Sequence, residues 1–317
     1  MNIETLNALT EHFRDEQVCR DHLATMRWGV DGVPACPYCG VIGAYKIDKG
    51  KRYKCREKLC KKSFSVTVGT VFENTKLPLR VWFSAMYLVC NSSKGVSSLQ
   101  LHRNLGITQK SAWFVLCRIR EMLKDKSPAL LQAPAQVDET YVGGNEKNKH
   151  PSKRTAGAHG LGEKAVVFGM LGSDKRVIVR AVPDSKSATI QPIIRTYVEI
   201  GDMIHSDDGA AYRGLKRDFE HERVIHSSGQ YVRNVEDEDG KRQKIHTNGI
   251  ENFWSLFKRG IDGIYHQVSP KHLDRYCQEY AYRFNNRSRK QSEKFNTAVE
   301  QADGRRLTYK ALIAPKP

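Results

Sequence analysis

The length, composition and charge of this chain set the first limits on what it can do. Its 317 residues leave room for two or three domains, and 39% apolar with 9% aromatic residues is typical of a folded soluble protein. No apolar run of roughly 18 residues occurs and residues 1–23 lack the apolar stretch of a secretory signal, so we expect no membrane span and a cytoplasmic protein. The net charge of +17 favours a polyanionic partner, nucleic acid above all, over a ribosome-associated or merely basic protein.

Four of the eight cysteines are clustered near the start of the chain. Residues 1–30 are predicted to form one or two short helices, and the clustered cysteines follow as C-x2-C, fifteen residues, then C-x4-C. Four thiolates on two short knuckles suit tetrahedral zinc, and they fit a disulfide framework or a redox motif poorly. The predicted zinc ligands are Cys36, Cys39, Cys55 and Cys60.

The segment between the knuckles predicts a zinc ribbon, which we place at residues 31–72. Residues 45–47 and 52–54 are expected to pair as a hairpin, and the β-rich run 65–72 is expected to end the ribbon. Nine Lys or Arg residues against two acidic ones lie between Lys46 and Lys62, which suits a face that binds phosphates. The predicted DNA contacts on this face are Lys51, Arg52 and Lys54.

Residues 73–127 predict a helical DNA-binding segment. A helix is expected to start within residues 77–79 and to run through residue 89, and a second unit follows over residues 98–123. In that unit a short helix ends at Gly106 and Thr108 caps the next, as in a helix-turn-helix. Contact with DNA and plain helical packing both remain open for this segment.

After a linker near residues 127–134, strands alternate with helices. Strands are predicted at residues 136–142, 165–171, 176–182 and 203–206, and helices at residues 190–200 and 210–215. In this segment the predicted strands come first and the predicted helices follow, and this order predicts a mixed α/β sheet. The polar, glycine-rich loop 143–164 is expected to be disordered or to become ordered on binding.

Three carboxylates stand out by their context. Asp138 lies inside an apolar strand, Asp207 follows a short strand, and Glu251 lies on a predicted helix. Buried carboxylates need a compensating cation, and Mg²⁺ prefers oxygen ligands and leaves positions open for water and phosphate. Two of them also have a purely structural interpretation: Asp207 or Asp208 can cap a helix, and Asp138 can pair with a buried Arg.

The helix that carries Glu251 is amphipathic. Thr247 or Asn248 can cap its start, and an apolar stripe follows at helical spacing. Glu251 and Lys258 lie two turns apart and therefore share one face. The stripe residues are Ile250, Phe253, Trp254, Phe257 and Ile261.

Several motifs together resemble bacterial insertion-sequence transposases of the group in which a zinc ribbon precedes a DDE catalytic domain. They are the first cysteine knuckle, residues 64–72, residues 137–144 and residues 246–259, and the resemblance extends from about residue 15 to residue 295. It implies a ribonuclease-H-like fold for residues 135–295, with Mg²⁺ or Mn²⁺ in a two-metal site. Residues 1–30 would then be N-terminal helices and residues 296–317 a C-terminal tail.

The resemblance also implies roles for particular residues. Asp138, Asp207 and Glu251 would be metal ligands, and Lys258, with Arg259 beside it, would contact DNA. Some members of the group carry Asn or His at the third ligand position, whereas this chain has Glu. Asp208 stays an alternative to Asp207, and Glu139 is a second choice for Asp138, because alternation points it at the other face of the strand.

The expected function is therefore that of a DNA transposase. It would bind the terminal inverted repeats of its element, cleave DNA in a Mg²⁺-dependent reaction and transfer the 3′ end to target DNA, acting as a homo-oligomer in the bacterial nucleoid. Two alternatives remain open at this point: a catalytically silent zinc-ribbon DNA-binding regulator, and a structure-specific nuclease of the same fold.

Overall fold

The computed structural model describes residues 3–125, 127–144, 150, 152, 164–236 and 242–314. The chain divides into two compact units, Met1–Lys124 with Ser288–Pro317, and Asp125–Arg287. The chain thus leaves the second unit at Arg287, eight residues before the boundary we predicted at residue 295. No helix within the described ranges is both long enough and apolar enough to span a bilayer.

The first unit is mainly helical, and its last two helices come from the C-terminal end of the chain. Phe13, Phe83 and Phe295 pack ring against ring, with centroids 4.8 Å apart for Phe13 and Phe83 and 5.4 Å apart for Phe83 and Phe295. This aromatic contact packs α9, which contains Phe295 and the first residues of the predicted tail, onto the first unit. The helices are α1 (Leu6–His12), α2 (Glu16–Trp28), α3 (Leu79–Asn91), α4 (Ser98–Leu105), α5 (Gln109–Met122), α9 (Gln291–Glu300) and α10 (Tyr309–Ile313).

The ribbon of the first unit is a three-stranded antiparallel sheet, β1 (Tyr45–Ile47), β2 (Arg52–Lys54) and β3 (Ser63–Phe64). The predicted hairpin is confirmed, since Lys46 pairs with Tyr53. The β-rich expectation for residues 65–72 is wrong, because β3 ends at Phe64 and turns follow. There the Thr70 hydroxyl donates to the Thr67 carbonyl at 2.7 Å, and such local bonds compete with a strand ladder.

The helix boundaries predicted around Gly106 are confirmed. Helix α4 ends at Leu105, and Gly106 follows with φ of 63°, in the left-handed region that suits glycine. Thr108 precedes α5, and its Oγ1 accepts a hydrogen bond from the Ser111 N–H at 3.2 Å. The two helices therefore have the local geometry that the sequence predicts.

The second unit is built on a mixed five-stranded sheet in the order β6-β5-β4-β7-β8. Strands β4, β5 and β6 are antiparallel neighbours, whereas β4, β7 and β8 run parallel. The predicted mixed α/β sheet is thus confirmed and is consistent with a ribonuclease-H-like domain. The strands are β4 (Ala135–Val142), β5 (Ala165–Leu171), β6 (Val177–Val182), β7 (Met203–Ser206) and β8 (Glu220–Arg223).

Helices cover both faces of this sheet. Alternate residues of β5 enter separate cores, Phe168 packing with Ile190 of α6 (Ser187–Tyr197) and Val167 packing with Phe253 of α7 (Asn248–Gly260). Helix α8 (Pro270–Asn285) lies in the second core with α7. A separate antiparallel hairpin, β9 (Arg233–Glu236) and β10 (Arg242–Ile245), precedes α7.

Two predicted helices differ from the structure. Helix α6 begins at Ser187 and ends at Tyr197, because Val198 is already extended with φ of −122°. The helix predicted over residues 210–215 is instead two 3-10 turns, Ala210–Tyr212 and Leu215–Arg217. Gly214, with φ of 89°, separates them and prevents a continuous helix.

Candidate metal centres

The four clustered cysteines converge on one point in the ribbon. Their sulfur atoms all lie within 4.8 Å of one another, with Sγ–Sγ distances of 3.8 Å for Cys36 and Cys60 and 3.5 Å for Cys39 and Cys55. Zn–S bonds of about 2.3 Å in a tetrahedron require sulfur atoms about 3.8 Å apart, whereas a disulfide requires about 2.05 Å. The spacing, the ribbon and the geometry therefore support a structural zinc site.

The backbone around the first knuckle favours thiolate. Gly40 has φ of 78°, and its N–H donates to the Cys36 carbonyl at 2.9 Å, which closes the knuckle. Burial opposes ionisation of Cys36, but the N–H groups of Tyr38 and Cys39 donate to its sulfur and lower its pKa to about 7. A thiol that ionises near neutral pH is a suitable zinc ligand.

Sheet pairing places Asp138 and Asp207 at the same edge of the second unit. Strands β4 and β7 run parallel with Gln136 opposite His205, so Asp207, the first residue after β7, comes close enough to Asp138 for their charges to interact. The Asp207 Oδ1 accepts the Gly209 N–H at 2.9 Å, which orients the carboxylate beyond the strand end. Asp207 is half-buried, whereas Asp208 is exposed.

The two neighbouring acids of β4 point to opposite faces of the sheet. The Asp138 Oδ2 accepts a hydrogen bond from the Trp254 Nε1 of α7 at 3.0 Å. The Glu139 carboxylate accepts one from the hydroxyl of Tyr212, which lies in the other core. Asp138, rather than Glu139, therefore faces the helix that carries Glu251.

The carboxylates at this edge repel one another in a partly desolvated position. Burial, and then the charges of Glu139 and Asp207, raise the pKa of Asp138 to about 7. Burial also raises the pKa of Glu139 although the Tyr212 hydroxyl donates to it. A nearby divalent cation would remove this unfavourable energy, because opposite charge favours the ionised carboxylate.

Strand β4 also anchors the start of α7. The Gln136 Oε1 accepts the N–H groups of Gly249 and Ile250 at 2.9 and 3.1 Å, which satisfies two donors at the helix N-terminus. Thr247 occupies the N-cap position as predicted, but its side chain makes no capping bond. Its hydroxyl donates instead to the Glu251 Oε1 at 2.6 Å.

The remainder of α7 agrees with the predicted amphipathic helix. All five apolar stripe residues, Ile250, Phe253, Trp254, Phe257 and Ile261, are buried. The Glu251 side chain is 42% exposed and Lys258 lies exposed on the helix, so both charges are accessible to solvent. The stripe therefore fixes α7 on the sheet while its charged residues stay accessible.

The three predicted carboxylate ligands are not gathered as closely as the thiols. Within the described ranges, the cysteine cluster alone has three or more His, Cys, Asp or Glu ligand atoms all within 4.8 Å of one another. Asp138 and Asp207 are electrostatic neighbours, and Glu251 lies one helical turn before the tryptophan that bonds Asp138. The structure thus places Asp207 near Asp138 and packs the helix of Glu251 against Asp138, without closing the three carboxylates around a single point.

The predicted DNA contacts lie in both units. On the ribbon, Lys51 and Arg52 are exposed and Lys54 is half-buried. On α7, Arg259 is exposed, and its guanidinium donates to the carbonyl and hydroxyl oxygens of Ser255. Most of the loop 143–164, for which we predicted disorder or ordering on binding, lies outside the described residues.

Sequence reasoning missed four residues that shape this site: Gln136, Tyr212, His226 and Thr247 as a partner of Glu251. Gln136 carried a signal, because it lies two residues before Asp138 and therefore on the same strand face. Tyr212 contacts Glu139 from more than seventy residues further along the chain, which no local pattern indicates. His226 contacts Glu251 from a turn distant in sequence, which no local pattern indicates.

The position opposite Asp138 admits only glycine. Gly169 pairs with Asp138 across β4 and β5, and a Cβ there would lie 2.6 Å from the Trp254 ring. Gly169→Ala is therefore expected to displace the tryptophan and destabilise the second unit by about 1–3 kcal/mol, measured by urea unfolding. Gly144→Ala is the matched control, since its Cβ meets nothing within 4 Å. Equal stability of both variants would contradict this packing.

The ribbon segment and the second unit each match a family of known proteins. Residues 14–63 match the transposase zinc-ribbon domain family, and residues 130–285 match the ISXO2-like transposase domain family. A protein in transposable element ISH50 of Halobacterium salinarum is 28% identical over 288 residues, covering 86% of this chain and 91% of that protein. A transposase-like protein of Haemophilus influenzae is 31% identical over 112 residues, covering 35% of this chain and 82% of that protein. The chain therefore belongs to the insertion-sequence transposases that combine a zinc ribbon with an ISXO2-like DDE transposase domain.

Proposed function

We propose that this transposase cleaves DNA at the ends of its element and joins the freed 3′ ends to target DNA, with a ribonuclease-H-like second unit as the catalytic domain. The main support is the geometry of one sheet edge. Asp138 lies within β4 and is an electrostatic neighbour of Asp207, which directly follows the carboxyl end of the parallel strand β7, and the helix of Glu251 is anchored on β4. Ligand sites in open α/β sheets occur at this kind of edge.

We propose Asp138, Asp207 and Glu251 as the ligands of divalent ions, Mg²⁺ or Mn²⁺. The donor set fits, because carboxylate oxygens are the preferred ligands of these ions and the site carries uncompensated negative charge. Ions held by these carboxylates would supply activation of the attacking water or 3′-hydroxyl and stabilisation of the leaving oxygen at phosphorus. Trp254 and Gln136 hold the helix and strand that present the ligands.

The basic residues near the acids suit the DNA backbone. Lys258 lies on the same helix face as Glu251, two turns further on, and is exposed. We propose that it contacts a phosphate of the bound DNA end, with Arg259 beside it. A cation in this position offsets the repulsion between the acidic site and the DNA.

We propose that the first unit recognises the element ends. The basic face with Lys51, Arg52 and Lys54 would lie on phosphates, and helices α4 and α5 would act as a helix-turn-helix. Helix α10 packs on α5, with the Tyr309 ring 5.7 Å from Phe114 and 5.8 Å from the Lys110 Nζ. Gln109 and Lys110 are nevertheless exposed in the N-terminal turn of α5, and we propose that this turn reads bases. Recognition helices commonly use these N-terminal residues.

A supercoiled plasmid carrying the element tests this function. With Mg²⁺, the protein is expected to nick the DNA at the element ends and to produce joined products. In the cell, we propose that it acts as a homo-oligomer on DNA in the bacterial nucleoid. Binding without cleavage would favour the silent regulator. Cleavage directed by DNA structure, without end joining, would favour the nuclease.

The raised pKa of Asp138 predicts a pH dependence of metal binding. Because burial and the charges of Glu139 and Asp207 raise this pKa to about 7, protons compete with the ion below that pH. The Mn²⁺ dissociation constant is expected to be constant above about pH 8 and to rise by up to about tenfold per pH unit below about pH 7. Paramagnetic resonance of free Mn²⁺ measures it. A constant value down to about pH 5.5 would indicate an Asp of ordinary pKa, near 3.9, and contradict the prediction.

A further inference from the structure

Two side chains from different parts of the second unit converge on one oxygen of Glu251. The Thr247 hydroxyl donates to the Glu251 Oε1 at 2.6 Å. The His226 Nε2 lies 3.4 Å from the same oxygen and 3.3 Å from the Thr247 Oγ1. A single N–H of His226 can therefore be shared between both oxygens.

Both partners are held in place by their surroundings. Thr247 is 1% exposed and directly precedes α7. His226 lies in the 3-10 turn His226–Ser228 between β8 and β9, and its ring packs against Tyr231 with centroids 5.3 Å apart. The Thr247 contact is local to the start of α7, whereas the His226 contact is not, since the His226 turn is more than twenty residues earlier in the chain.

The arrangement differentiates the two oxygens of the carboxylate. Every hydrogen bond and ion-pair contact that the Glu251 carboxylate makes with the described residues uses Oε1. A glutamate with 42% exposure would otherwise lose rotamer freedom on binding an ion, and fixing it beforehand reduces that cost. Partners that orient a ligand in this way commonly change metal affinity by about 10–100-fold.

We propose that Thr247 and His226 are positioning residues that hold Glu251 through Oε1 and leave Oε2 for a divalent cation. This inference rests on the proposed function, because it takes Glu251 as a metal ligand. The two residues act through Glu251 and touch neither the ion nor the DNA. Their hydrogen bonds, rather than the bulk of their side chains, carry the effect.

The test is the Mn²⁺ affinity of the full-length, zinc-loaded chain without DNA, measured by paramagnetic resonance of free Mn²⁺. Thr247→Val and His226→Ala are each expected to weaken binding by about tenfold or more. Thr247→Ser and His226→Gln, which keep a donor, are expected to recover most of the affinity. Thr196→Val is the control for the Thr-to-Val change itself, because Thr196 is exposed on α6 and its hydroxyl donates to the Pro192 carbonyl, away from the acids.

A second readout separates positioning from folding. The thermal midpoints of the metal-free variants are expected to stay close to that of the wild type. The Mg²⁺ concentration for half-maximal cleavage is expected to rise in Thr247→Val while the rate at saturating Mg²⁺ changes less. Unchanged Mn²⁺ affinity in both Thr247→Val and His226→Ala, or an equal loss in Thr196→Val, would overturn the inference.

Glu251→Gln distinguishes this inference from the proposed function. If Glu251→Gln weakens Mn²⁺ binding and the Thr247 and His226 variants do not, the positioning role alone is wrong. If Glu251→Gln itself leaves Mn²⁺ affinity unchanged, Glu251 is not a ligand, and both proposals fail. The positioning role also requires that Thr247→Val have no further effect in the Glu251→Gln background, because coupled residues are not additive.

Discussion

Asparagine at Asp138 or Asp207, or glutamine at Glu251, is expected to reduce Mg²⁺-dependent cleavage and end joining by about a thousandfold or more. Each substitution removes a charged ligand, and loss of several kcal/mol of transition-state stabilisation corresponds to a factor of this size. Binding of the element ends is expected to persist, because we assign end recognition to the first unit. Cleavage rates on end-containing DNA and gel-shift titrations measure the two properties separately.

Asp208→Asn and Glu139→Gln make this prediction specific. Asp208 is exposed and Glu139 bonds Tyr212 on the other face of the sheet, so both variants are expected to retain most cleavage activity. A loss of activity in Asp208→Asn with retention in Asp207→Asn would exchange the two assignments. Full activity in the Asp138→Asn, Asp207→Asn and Glu251→Gln triple variant would refute the catalytic assignment as a whole.

Removal of zinc is expected to unfold the ribbon and abolish binding to the element ends. The three short ribbon strands bury few apolar side chains, and structural zinc sites contribute about 10–16 kcal/mol of apparent binding free energy in small domains. Cys55→Ser is expected to lower the zinc content from one ion per chain to almost none. Elemental analysis gives the stoichiometry, and gel-shift titrations give the affinity for DNA ends.

Cys277→Ala is the matched control for the zinc prediction. This cysteine is buried in the second unit, within the core formed by α7 and α8, and lies outside the four-cysteine cluster. Its replacement is expected to leave the zinc content unchanged. Normal affinity for DNA ends in a zinc-free Cys55→Ser protein would show that the ribbon is not part of end recognition.

The zinc ribbon could be predicted because its signals are local. Cysteine spacing specifies two knuckles without knowledge of any distant contact, and the strands 45–47 and 52–54 are recognisable from their composition. The boundaries at Gly106 and Thr108 were predictable for the same reason, since turn and cap residues act within one helical turn.

The faces of the central sheet could not be predicted from local patterns. Alternation shows that Asp138 and Glu139 point in opposite directions, but which direction meets α7 depends on pairing with β5 and on Trp254. The adjacency of Asp138 and Asp207 likewise depends on parallel pairing between strands about seventy residues apart. Contacts of this kind are set by tertiary packing, which overrides strand propensity.

The hydrogen-bond partners of Glu251 also could not be predicted from local sequence patterns. The helix, its stripe and its charged face follow from periodicity, whereas the Thr247 hydroxyl has two possible partners, a backbone N–H or the carboxylate of Glu251. In the structure Gln136 takes over the capping role, so Thr247 is available to Glu251. Sequence periodicity predicted where the helix lies but could not assign its partners.

The most direct test of the central claim is a crystal structure of the chain with element-end DNA and Mn²⁺, in which anomalous scattering locates the ions. We predict two Mn²⁺ ions at the edge of the sheet where β7 ends beside Asp138 of β4, with carboxylate oxygens of Asp138, Asp207 and Glu251 among their ligands. Ions bound by Glu139 or Asp208 in place of these residues, or no ion at this edge, would contradict the claim.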